Sequence, residues 1–159
     1  MMRTAFLFLV FLATFLTATP AAPSVENESG TVQHVRDEIK ELERKQVQFP
    51  FDADLYFILG NNYWTLNDKE KAIENFQRAV LLNPDYSSAH WSLSVIYNRM
   101  EDGKNAILHM KKAEEIFSKT EDVKSLASAR KMLRGYFAKY EYQPEDFEAR
   151  KGFLWRIFN

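Results

Sequence analysis

The chain has 159 residues, of which 46% are hydrophobic and 27% charged, enough for one domain with a buried core. Its 21 basic and 22 acidic side chains nearly cancel, so no long-range field draws it to nucleic acid, a partner that a basic excess or stripe normally announces. It contains no cysteine, which excludes disulfides, thiolate metal centres and thiol catalysis.

The N-terminus reads Met1-Met2-Arg3, an apolar run over residues 5–13 extended by Phe15 and Leu16, and a small-residue exit from Thr17 to Ala22. This order predicts a secretory signal peptide over residues 1–21, cut after Ala21, with Ala18 or Ala22 as alternative sites. The apolar core is about a dozen residues, short of the roughly 20 that a spanning helix needs. An uncleaved anchor is the competing reading, and a lipoprotein anchor is excluded because no cysteine follows the core. Residues 22–30 are small and polar, with too little apolar surface to repay ordering, and are expected to form a flexible leader. Asn27-Glu28-Ser29 within it has the form of a glycosylation acceptor, a pattern short enough to arise by chance.

Val32, Val35, Ile39 and Leu42 then recur at spacings of three and four, predicting a helix over 31–47 with one apolar stripe. The stripe is too short for a coiled coil before Phe49-Pro50 stops it, so it should pack on the next element as a capping helix or half repeat, over 31–50. Residues 53–86 predict a helical hairpin: a helix over 53–66, a polar Asn67-Asp68-Lys69 turn and a helix over 70–82. Asn83-Pro84 ends it, because proline cannot donate the helical hydrogen bond and disfavours helix in the residue before.

A second hairpin is expected over 87–118, its second helix reaching Phe117 or Ser118 because no proline stops it. Ser118 and Glu121 are placed to form a capping box that opens a helix over 121–140, whose apolar set includes Leu126, Ala129, Met132, Leu133, Tyr136 and Phe137. Gln143-Pro144 breaks the chain before a last short helix over 144–151. Phe153, Leu154, Trp155, Ile157 and Phe158 crowd the end. Such a patch needs covering, by the solenoid itself, by a partner or by lipid.

Nothing in the sequence assembles a catalytic site. His34, His90 and His109 lack helical partners at the spacing of a metal site, and are expected to act as separate surface or groove residues. Acidic runs such as 38–43 are solvated helix faces, and the five glycines form no phosphate cradle. No cofactor and no metal are expected.

What organises the chain is a period. Pro50 and Pro84 stand 34 residues apart, and between them lie Tyr56, Leu59, Gly60, Tyr63, Ala72, Phe76 and Ala79 in the order of a helix-turn-helix repeat. This segment resembles a tetratricopeptide repeat (TPR). One period on, Leu93, Tyr97, Ala106 and Ala113 keep their places, while His90 stands for Tyr56, Ser94 for Gly60, Met110 for Phe76 and Ser118 for Pro84. One period back only Pro50 and Leu42 fit, with Glu38 and Lys45 at the alanine positions. The segment 119–141 is repeat-like or a capping helix, since strict spacing puts Lys124, Ser128 and Lys131 on signature positions.

The resemblance implies an all-α solenoid of about two and a half repeats in a right-handed superhelix, capped at both ends. It also implies a concave groove lined by the first helix of each unit: Asp54, Phe57, Asn61, Trp64 and Thr65, then Ser88, Trp91, Val95, Asn98 and Arg99. Two tryptophans, a phenylalanine and two asparagines there suit an extended peptide of a protein partner. The alternative is that Trp64 and Trp91 pack between repeats. Relatives that clamp a terminal carboxylate use a lysine where this chain has Phe57, so an internal or apolar segment is the expected ligand. Signal and repeat together lead to the expectation of an exported, periplasmic, non-enzymatic interaction module or assembly factor. The alternatives are secretion, membrane association through an uncleaved N-terminal segment and the aromatic tail, and self-association.

Overall fold

The computed structural model describes residues 25–147, with side chains from residue 30 onward. Six helices follow one another: α1 (Val25–Gln48), α2 (Ala53–Thr65), α3 (Lys69–Leu82), α4 (Ser87–Arg99), α5 (Gly103–Lys119) and α6 (Val123–Tyr140), then a 3-10 turn at Pro144–Phe147. The described residues contain no strand, and no helix among them is long and apolar enough to cross a membrane. Each helix packs chiefly on its neighbours in the chain, giving an all-α helix-turn-helix solenoid in which α2/α3 and α4/α5 are successive hairpins.

The helices begin where the local chemistry allows. Asp52, Asp68, Asp102 and Asp122 each accept backbone N–H bonds from the first turn that follows, satisfying donors that a helix start leaves orphaned. Between α2 and α3, Asn67 sits in the left-handed region (φ 59°), and between α4 and α5 Glu101 does the same (φ 59°). Those residues, and the caps Asp68 and Asp102, are again one 34-residue period apart.

Packing within the hairpins explains the residue pattern. A Cβ on Gly60 would lie 2.7 Å from Cδ1 and Cε1 of Phe76, so α2 approaches α3 with the ring against bare backbone. In the second hairpin, Ser94 is fully buried and donates its hydroxyl to the Ala106 carbonyl of α5 at 2.7 Å. Ser94 tolerates a side chain because its polar atom is bonded rather than stranded. Ala72, Ala79, Ala106 and Ala113 show 0% exposure, keeping the facing helix surfaces low. Tyr56, Leu59, Tyr63, Phe76 and Leu93 are buried among them, while Tyr97 is half-buried and Pro84 exposed. The repeat also reuses a polar tie: the Tyr56 hydroxyl donates to the Pro50 carbonyl at 3.2 Å, and His90 Nε2 sits 3.2 Å from the Pro84 carbonyl.

Val35, Ile39 and Leu42 of α1 pack into the core of the first hairpin, and the Tyr63 hydroxyl donates to Glu43 at 2.5 Å. Val32, expected on the same stripe, remains 37% exposed. Three further boundaries differ from expectation. Residues 25–30, expected as leader, belong to α1; no proline interrupts this stretch. Ser118 makes no capping box, because α5 continues to Lys119; Asp122 caps α6 by accepting from the Ser125 N–H at 3.0 Å. The last described element is a 3-10 turn ending at Phe147, and the rest of the expected 144–151 helix, the aromatic tail and the signal segment lie outside the described residues.

Candidate functional site

The first helices of the two hairpins, α2 and α4, share a face with α6. Between them lie two adjoining hollows. One, of about 580 Å³, is bounded by Phe57 of α2, by Ser88 and Trp91 of α4, and by Lys124 and Ser128 of α6. The other, of about 540 Å³, lies between α4 and α6, with Trp91, Asn98, Ser128, Lys131 and Met132 among its walls. Trp91 and Ser128 belong to both, so the hollows meet there and form one continuous groove. Trp91 is half-buried and is held edge-on by Phe117, with ring centroids 6.1 Å apart. Its exposed part is a rigid aromatic platform at the middle of the groove.

The structure divides the ten groove positions expected from the repeat register. Phe57, Ser88, Trp91 and Asn98 line the hollows. Asp54 instead accepts a hydrogen bond from the Tyr86 hydroxyl at 2.6 Å, and the Arg99 guanidinium lies 4.7 Å from the centre of the Trp64 ring. These two contacts tie α2 to the start and to the end of α4, and Trp64 also packs against the first core cluster. Thr65 donates its hydroxyl back to the Asn61 carbonyl at 3.0 Å, and neither Asn61, Thr65 nor Val95 borders the hollows. Phe57 has a double role, since it also contacts Tyr86 (4.9 Å) and Phe76 (5.6 Å between centroids). Asn98 Oδ1 accepts from the Tyr140 hydroxyl at 2.9 Å and from Lys139 Nζ at 3.2 Å, so Asn98 has only its amide nitrogen to offer a ligand.

One wall of the groove escaped the repeat register. Lys124, Ser128, Lys131, Gly135 and Lys139 of α6 all border it. The turn before α6 displaces it from the 34-residue frame, and only its composition, rich in lysine and arginine without acid, gave a signal. The groove also differs from the outer hollow of about 670 Å³ between α5 and α6. There both carboxylates, Glu114 and Glu115, already pair with Arg130, Lys112 and Lys119.

The histidines correct the expectation that they stand apart. His90 and His109 approach with their Nδ1 atoms 3.0 Å from each other. The Pro84 carbonyl can only accept, so the proton sits on His90 Nε2, and His109 donates from Nδ1 to the bare Nδ1 of His90. Tyr97 stacks on His109 at 5.5 Å with an interplanar angle of 7°. Burial pushes the His90 pKa down, with Lys112 adding to it and Pro84 and Asp85 opposing. Burial, with the neighbouring His90, pushes His109 down to about 4. Both are neutral packing groups, and no group of three or more His, Asp or Glu side chains among the described residues is arranged to hold a metal.

Residues 53–86 match the tetratricopeptide repeat family. The fold is similar to that of SycD, a type III secretion translocator chaperone of Yersinia enterocolitica, with a TM-score of 0.63 at 15% identity over 73% of this chain and 79% of SycD. It is similar to PcrH, solved in complex with the chaperone binding region of PopD, with a TM-score of 0.63 at 16% identity over 72% of this chain and 85% of PcrH. MamA is 30% identical over 67% of this chain and 64% of its own, with a TM-score of 0.53. No curated protein sequence matches the chain. These likenesses agree with the helix-turn-helix solenoid built above.

Proposed function

We propose that the chain is a non-enzymatic interaction module that holds an extended segment of a partner protein in the groove between α2, α4 and α6. The observation that carries this is the meeting of the two hollows at Trp91 and Ser128. An aromatic platform flanked by small hydroxyl side chains offers contact area at little entropic cost and leaves room for a polypeptide backbone. PcrH, of similar fold, was solved with a binding region of its partner, which supports a peptide ligand. A photo-crosslinking residue at position 128 should capture a partner polypeptide, while one at Leu81, exposed on α3, should not. Equal capture at both positions would overturn the groove.

Export to the periplasm is part of the same proposal and rests on the order of Arg3, the apolar run and the small-residue exit in residues 1–21. The mature protein should have lost about 21 residues. Recovery of an intact residue 1 would replace export and release with membrane anchoring.

A further inference from the structure

The groove has an electrical polarity that narrows its partner. α6 contributes Lys124, Arg130, Lys131, Arg134 and Lys139 and no acidic residue, in a chain whose net charge is only −1. Lys124, Lys131 and Lys139 recur with Ser128 and Gly135 at spacings of three and four, and all five border the hollows, so one face of α6 presents a basic strip to the groove. Lys139 is matched by Glu101 at 2.9 Å. Neither Lys124 nor Lys131 has an ion-pair partner among the described residues. Asp122, the one carboxylate on the rim, caps the Ser125 N–H and interacts with the Lys124 ammonium only through space, as a weak contribution beside its bonds to Ser125. Between the lysines Ser128 is short, and a Cβ on Gly135 would meet nothing within 4 Å, so a backbone can lie close along the strip.

From this charge complementarity we infer that the occupant is an acidic, extended internal segment of another protein, with a large apolar side chain between two carboxylates. The inference rests on the groove being the binding surface. Lys131 stands seven positions after Lys124, about 10 Å along a helix at about 1.5 Å per residue. An extended chain of the polyproline-II type covers about 9 Å in three residues, at roughly 3.1 Å each, and makes one full turn in doing so. Acidic side chains three positions apart therefore lie on one side of such a chain and reach both ammonium groups, and one of the two residues between them meets Trp91 and Met132. The hollows continue past Trp91 in both directions, so the segment need not supply a chain terminus.

The test is selection from a random dodecapeptide display library in which every peptide is fused at both ends, leaving no free carboxyl terminus. The full-length protein should enrich peptides with acidic residues about three apart around an aromatic or aliphatic residue. Binding of these should weaken at least tenfold in the Lys124→Glu/Lys131→Glu protein and as salt is raised. Replacing the peptide's acids by lysine should restore binding to that charge-reversed protein. Enrichment without acidic bias that is lost in Trp91→Ala and Ser128→Arg would keep the groove and overturn its acidic partner. Acidic peptides that bind the Lys124→Gln/Lys131→Gln protein undiminished would overturn the strip. Enrichment no greater with the wild type than with Ser128→Arg, each still helical by circular dichroism, would overturn both the groove and the acidic partner.

Discussion

His90 and His109 share a single proton along a 3.0 Å contact between their Nδ1 atoms, an arrangement that exists only while the pair carries no more than one extra charge. Both rings have their pKa lowered in the fold. The unfolded chain therefore binds protons at a higher pH than the folded one, and this share of the stability is present above about 6.5. It is lost as the pH falls toward the folded His109 value of about 4. Urea melts between pH 7 and 4.5 should show a loss of roughly 2 kcal/mol for the wild type. His109→Gln, which can still donate to His90, should flatten that slope; an unchanged slope would mean that the pair is not what titrates.

Gly60→Ala should destabilise by roughly 1–3 kcal/mol, because its Cβ would meet the Phe76 ring at 2.7 Å in a packed interface. Thermal melts of the single variant and of Gly60→Ala/Phe76→Leu read it directly. Part of the loss should return when the smaller side chain makes room. No loss in the single variant would contradict the close approach of α2 and α3.

Ser94→Ala should cost about 1 kcal/mol, by removing the donor to the buried Ala106 carbonyl while leaving the volume nearly filled. Chemical denaturation of Ser94→Ala and Ser94→Gly would separate the hydrogen bond from the packing, with the glycine variant expected to lose more. An alanine variant as stable as the wild type would show that the bond contributes nothing.

Glu121→Gly should stabilise by about 1 kcal/mol, since Glu121 holds a φ of 58° between α5 and α6, a conformation glycine adopts without steric penalty. A rise of a few degrees in the melting temperature checks it, and a fall would show that Glu121 has a role beyond the turn.

The repeat was legible because its residues are dictated by contact at fixed distances. Gly60 against Phe76 and the alanines at 72, 79, 106 and 113 can hardly be exchanged without moving a helix. The groove was legible only in part, because a repeat register says which positions face inward and not which of them a neighbouring repeat consumes. Asp54 and Arg99 are drawn into ties with Tyr86 and Trp64, contacts between residues more than thirty positions apart. Lys124 and Lys131 were invisible as groove residues because the turn at Glu121 shifts α6 out of the period. The approach of His90 to His109 was hidden by their 19-residue separation, which no single-helix spacing anticipates.

The central claim is that the groove meeting at Trp91 and Ser128 holds the partner, and Ser128→Arg tests it most directly. Ser128 is exposed and borders both hollows, so arginine fills the groove without disturbing the core. Titration of a captured partner segment into wild-type and Ser128→Arg protein should show affinity falling at least tenfold, about 1.4 kcal/mol, at an unchanged melting temperature. Equal affinity in the two proteins would place the partner elsewhere on the solenoid.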